Sequence, residues 1–107
     1  MTIFFMILYI DTTDFGAITY ALVGGKTIKK TYRVDPRHSH EVLGYLEKFF
    51  KKIDRSTITK IIVNKGPGSY TGTRIGVTHA LALGFAWNVP VKALDGEKFL
   101  EQLEKVK

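Results

Sequence analysis

Two stretches of this chain bring together residue types that can do chemistry. Asp11-Thr12-Thr13, with Gly16 close behind, places a carboxylate and two hydroxyls where an apolar run ends. Ligands of α/β sheets gather at the carboxyl ends of strands. The second stretch is Gly66-Pro67-Gly68-Ser69-Tyr70-Thr71-Gly72, between the apolar Ile61-Ile62-Val63 and a helical pattern from Thr73 onward. Glycines permit backbone angles that a Cβ forbids. Pro67 fixes one φ and removes one donor. Ser69 and Thr71 can cap a helix whose first N–H groups lack partners. A glycine loop that opens a helix can hold an anion. It can equally be an elbow that turns the chain from strand to helix. The Lys-Ser/Thr that closes a Walker loop is missing, and the glycine spacing and position differ from the dinucleotide fingerprint. The elbow stands first, because backbone geometry alone calls for glycine in so short a connection.

The remaining reactive side chains are few. His38 and His40 are two residues apart, so one helix face cannot present both. A metal site would need a third ligand and an outer shell. Hydrogen bonding at a helix entry suits them better. His79 is alone on an apolar helix and reads as a packed or interface residue. Ser69 lies in no G-x-S-x-G elbow, and no ordered Ser-His-Asp set is legible. With no cysteine in the chain, disulfides, thiolate metal sites and cysteine nucleophiles are excluded.

The elements that must position these residues follow from periodicity. Ile3 to Ile10 is nearly all apolar, as in a strand covered on both faces. Ala17 to Val23 is a second strand, and Gly24-Gly25 signals a hairpin. In Lys26 to Val34, Ile28, Tyr32 and Val34 face the core while Lys29 and Arg33 face out; lysines suit a sheet edge. Asp35-Pro36 breaks this strand. Ser39 can cap a helix with Glu41 in its first turn, and Val42, Leu43, Leu46, Phe49, Phe50 and Ile53 form one apolar face. Asp54-Arg55-Ser56 ends that helix, and Ile61 to Val63 is the next strand. The helix after the glycine loop carries a small row, Gly76, Ala80 and Gly84, beside a bulky row, Val77, Leu81 and Phe85. A helix this apolar is expected to be covered on more than one side, and the small row would admit another helix closely. Val89 to Leu94 is a fifth strand with proline near its start. Asp95 caps a last helix with Phe99, Leu100, Leu103 and Val106 as its stripe. The order β-β-β-α-β-α-β-α gives an α/β fold, a mixed five-stranded sheet with helices on it.

Gly66 to Gly76, read through Arg74-Ile75-Gly76, resembles the G-P-G-S-[FY]-T-G-x-R-I-G signature of the TsaB (YeaZ) family. Ile10-Asp11-Thr12-Thr13, His38-Ser39 and Val89-Pro90-Val91 fit that family in the same order. The resemblance matches the first half of a family member. It implies a single RNase H-like, actin-type (ASKHA) domain over residues 1–107, with the family's second domain absent. It also implies a non-catalytic scaffold or activator subunit. Its partners would be a TsaD-like catalytic paralogue and a TsaE-like ATPase, which together transfer a threonylcarbamoyl group to the adenosine beside the tRNA anticodon, so that tRNA is met indirectly. No cofactor is expected on this chain alone; ATP and magnesium belong to the complex. The contact surface is expected at Leu43, Leu46, Phe50, Gly76, Ala80 and Gly84. A large residue at Ala80 or Gly84 should then weaken the complex and spare the fold. In actin-like ATPases a carboxylate at the position of Asp11 helps hold magnesium and the first hairpin turn meets phosphate. That motivates another reading, an ATP-binding enzyme working as a homodimer, with Asp11, Thr12, Thr13 and Gly16 at the phosphate. A third reading is a basic RNA-binding module.

Composition bounds these readings. The 107 residues are 45% hydrophobic and 24% charged, which suits one globular domain. The apolar start is too short to span a bilayer and has no basic stretch before it, so the expected location is the cytoplasm, away from membranes. The net charge of +6 favours acidic partners, RNA among them. The lysines are scattered over strand, helix and tail, and no basic patch interleaves with exposed aromatics.

Overall fold

The computed structural model describes residues 5–14, 16–25, 27–33, 42–51, 55–68 and 70–105. Five strands, β1 (Met6–Asp11), β2 (Ala17–Val23), β3 (Thr27–Arg33), β4 (Ile58–Asn64) and β5 (Val91–Leu94), and three helices, α1 (Val42–Phe49), α2 (Tyr70–Trp87) and α3 (Gly96–Lys105), follow the expected order. The sheet order is β3-β2-β1-β4-β5. β1 to β3 run antiparallel, and β4 and β5 run parallel to β1. β1 is central, with Ile10 opposite Tyr20 of β2 and Val63 of β4. The carboxyl ends of β1 and β4 therefore lie side by side, which brings the Asp11 turn to the glycine loop.

Because strand side chains alternate, the sheet has two apolar faces. Leu8, Ile10, Tyr20, Leu22, Ile61 and Val63 pack beneath α1 and α2, with Leu46, Phe49, Phe50, Ala80 and Leu83. Tyr9, Ala21, Val23, Ile62 and Leu94 pack with Phe99 of α3 on the other. Each fully buried large side chain of this kind stabilises the fold by about 1.5–3 kcal/mol.

Element boundaries depart from the sequence expectation for local reasons. β4 begins at Ile58, because it already pairs with Met6 across a register irregularity. Exposed Thr59 and half-buried Lys60 hide that extension from an apolar pattern. β5 begins at Val91, after a proline that cannot donate but whose carbonyl accepts from Ile61 N at 3.0 Å. α1 ends at Phe49, since the bond from Phe50 N to Leu46 O is followed by a tighter turn from Lys51 N to Lys48 O. A short 3-10 turn, Arg55–Thr57, then leads into β4. Ile3, Val34, Asp35-Pro36, the expected cap at Ser39, Glu41, Ile53 and Val106 lie outside the described residues. Asp95 caps α3 as expected, its Oδ1 accepting from Lys98 N at 3.0 Å.

Candidate functional site

Past β4 the chain is tied on both sides. Lys65 N donates to Leu94 O and Gly96 N to Gly66 O, each at 2.8 Å. Gly66 N donates to Oδ1 of the buried Asn64 at 3.0 Å. Gly66 precedes a cis Pro67. Its φ of 101° is a backbone angle that needs glycine. Gly16, in the turn after β1, also has positive φ, 105°. Gly68 and Gly76 serve another purpose. A Cβ on Gly68 would lie 2.6 Å from Thr13 Cβ and 2.7 Å from Thr13 O, and one on Gly76 would collide with Thr12 Oγ1. Thr12 is buried, and its Oγ1 donates to Gly72 O at 2.5 Å. Asp11 Oδ1 accepts from Thr13 N at 2.9 Å and from Thr13 Oγ1 at 2.7 Å.

The two motifs are thus halves of one junction, in which the β1–β2 turn presses into the loop and the first turns of α2. The space that the glycines leave is filled by Thr12 and Thr13. The polar atoms of Asp11, Thr12 and Thr13 named above bond within the junction, as an elbow requires. Arg74 stands exposed on α2. Ser69 lies outside the described residues, as do the side chains of Tyr70 and Thr71.

The expected contact surface needs correction. Leu46 and Phe50 are 4% and 3% exposed and belong to the chain's own core, and Ala80 is fully buried. Gly76 faces Thr12. A Cβ on Gly84 would collide with Val91 Cγ2 and approach Val89 O to 3.0 Å. The small row of α2 therefore lies against its own sheet, where a strand needs room that a helix packed on it must yield. The side chain of Leu43 lies outside the described residues. The opposite flank of α2 was missed. Thr78, Leu81, Ala82, Phe85 and Ala86 are exposed, Leu81 at 56% and Phe85 at 92%. The bulky row splits, with Val77 turned to the core and Leu81 and Phe85 turned outward. Both rows are apolar, so the helical period alone did not say which of them meets the sheet.

His79 is buried, with Nε2 3.1 Å from the Tyr20 hydroxyl. Burial lowers its imidazole to about 4. Burial first, and neighbouring Tyr32 second, push the Tyr20 phenol upward. The expectation of a packed histidine holds. Among the described residues no three His, Asp or Glu side chains come together in a group that could hold a metal, and no helix is long and apolar enough to cross a membrane. His38 and His40 lie outside those residues.

Comparison with known proteins agrees with this geometry. The family described as "TsaD: tRNA N6-adenosine threonylcarbamoyltransferase" matches residues 32–96, more than half of the chain. The tRNA threonylcarbamoyladenosine biosynthesis protein TsaB of Bacillus subtilis (strain 168) is 35% identical over 92 residues, covering 82% of this chain and 40% of that protein. YeaZ from Pseudomonas aeruginosa superposes with a TM-score of 0.72 at 27% identity, over 84% of this chain and 44% of that one. T. thermophilus RuvC, solved in complex with a Holliday junction substrate, superposes at 0.62 with 11% identity, over 87% of this chain and 66% of that one. That likeness is one of fold alone. The RNase H-like, actin-type fold expected from the sequence is borne out. The chain spans less than half the length of the TsaB and YeaZ relatives it matches.

Proposed function

This chain belongs to the TsaB (YeaZ) family, and from that premise we propose that it is a non-catalytic subunit of tRNA threonylcarbamoyladenosine biosynthesis, pairing with a TsaD-like paralogue through the outer face of α2. The observation that carries the pairing is Phe85, a large aromatic side chain 92% exposed beside Leu81 at 56%. Ala82 and Ala86 beside them are small enough to let a facing helix come close. Burying both large side chains would supply about 1.5–3 kcal/mol each, the scale of an interface hot spot. A supporting role agrees with the junction, where Thr12 and Thr13 occupy the space facing Gly76 and Gly68 and the Asp11 carboxylate holds its own turn. ATP, magnesium and a TsaE-like ATPase enter at the level of the complex, and the chain alone can pair with a second copy of itself through the same face.

Co-purification with a tagged TsaD-like protein from the same cell tests this reading. The unaltered chain is expected to stay bound through washing, and Phe85→Asp to be lost at unchanged circular dichroism. Equal retention of both proteins would refute the proposed face.

A further inference from the structure

Three cations that lie close together in the sequence are set by the fold on one edge of the sheet. β3 is an edge strand, and its sequence Thr27–Arg33 holds Lys29, Lys30 and Arg33 and no acid. Neighbouring β2 carries no charge at all. Ile28 and Tyr32 pack toward the α1–α2 core, so Lys30 stands on that side and Lys29 and Arg33 on the other. All three cations are exposed. On the α1 side the strip continues through aromatic rings. The Tyr32 and Tyr45 centroids are 5.4 Å apart, and Lys48 Nζ lies 5.3 Å from the Tyr45 centroid. Glu47, one residue before Lys48, is turned about 100° away around the helix. The cations of β3 span roughly 14 Å at the usual strand rise, enough to meet several consecutive phosphates.

We propose that the β3 edge, with Lys30 and Lys48 beside Tyr32 and Tyr45 on one side of the strand and Lys29 and Arg33 on the other, is a direct binding surface for the phosphate backbone of RNA. The occupant follows from what the strip holds and what it lacks. The exposed large apolar side chains among the described residues are Phe5, Leu81, Phe85 and Leu100, none of them on β3. A protein partner needs an apolar anchor at the centre of its footprint. A polyanion needs only cations, because counterion release drives its binding, and two half-buried rings offer flat faces to an unpaired base. The surface lies apart from the outer face of α2 and does not depend on the pairing proposed for that face.

Fluorescence anisotropy of a short labelled RNA hairpin, titrated with the chain alone between about 50 and 200 mM salt, tests the proposal. The triple variant Lys29→Glu, Lys30→Glu, Arg33→Glu is expected to bind at least tenfold more weakly and to lower the salt slope by about 2. The charge-matched variant Lys65→Glu, Lys92→Glu, Lys98→Glu should bind within threefold of the parent, and the triple Lys/Arg→Gln variant should weaken binding by a smaller factor than the Glu set. Phe85→Asp should leave RNA binding unchanged. Equal losses from the two Glu sets would show that net charge alone attracts the RNA and would overturn the surface. So would no binding by the parent at the lowest salt. Competition by polyglutamate as effective as that by unlabelled RNA would assign the edge to an acidic protein instead.

Discussion

Thr12 has its hydroxyl committed to a carbonyl sixty residues further along the chain, and the close seating of Thr12 and its neighbour Thr13 explains two glycines across the junction. The sequence makes Gly66 legible, since a strand-to-helix elbow calls for a left-handed residue and the chain has one there. Gly68 and Gly76 are glycine because Thr13 and Thr12 lie against them, and no local pattern reveals a neighbour so distant in sequence. Gly76→Ala should accordingly destabilise the protein by about 1–3 kcal/mol, measured by urea unfolding. A loss under about 0.5 kcal/mol, the range of an ordinary surface substitution, would mean that the contact is soft. His79 makes a separate prediction. Its imidazole titrates at about 4 in the fold, against 6.5 for a free histidine side chain. Between those values the unfolded chain binds more protons than the folded one. Stability is therefore full above about pH 6.5 and falls as the pH drops toward 4, by on the order of 2–3 kcal/mol. Unfolding midpoints at pH 7, 5.5 and 4.5 check the slope, and His79→Gln should flatten it.

At the scale of elements, α2 shows how far periodicity carries. Its helical character, length and sheet-packed nature were readable from the run of apolar residues after the elbow. Which side met the sheet was not, because both rows are apolar and a period of 3.6 does not rank them. Steric room decides the matter. Val91 sits where a side chain at position 84 would go, so glycine there belongs to the α2–β5 contact. Gly84→Leu should therefore lower the unfolding midpoint of the isolated chain, with a cost of about 1–3 kcal/mol from overpacking. Phe85→Asp, one residue on, should leave the midpoint nearly unchanged. Thermal scans of the two variants separate an inner face from an outer one. Strand ends were less legible than strand existence, as at β4 and β5, where a pairing partner or a single proline carbonyl sets the limit.

The whole molecule has a covered interior and two different surfaces. The mixed sheet and the order of elements along the chain followed from three short hairpin-linked strands and two helical crossovers, so the fold class was readable in the sequence. The exposed face of α2, and the extension of the basic β3 edge onto Tyr45 and Lys48 of α1, were not, because both are assembled by tertiary packing. The first appears when the small row of α2 turns inward and leaves Leu81 and Phe85 outside. The second appears when β3 takes the sheet edge beside α1. The central claim is that the outer face of α2 binds a TsaD-like partner. The most direct measurement is the dissociation constant of that complex for the unaltered chain, for Phe85→Asp and for Leu100→Asp, which alters an exposed apolar residue on α3. Loss of an anchor worth about 2 kcal/mol would weaken the Phe85 variant roughly 30-fold, while the Leu100 variant stays within about threefold of the parent, a difference under about 1 kcal/mol. Equal affinities for all three proteins, or no complex with the unaltered chain, would contradict the account.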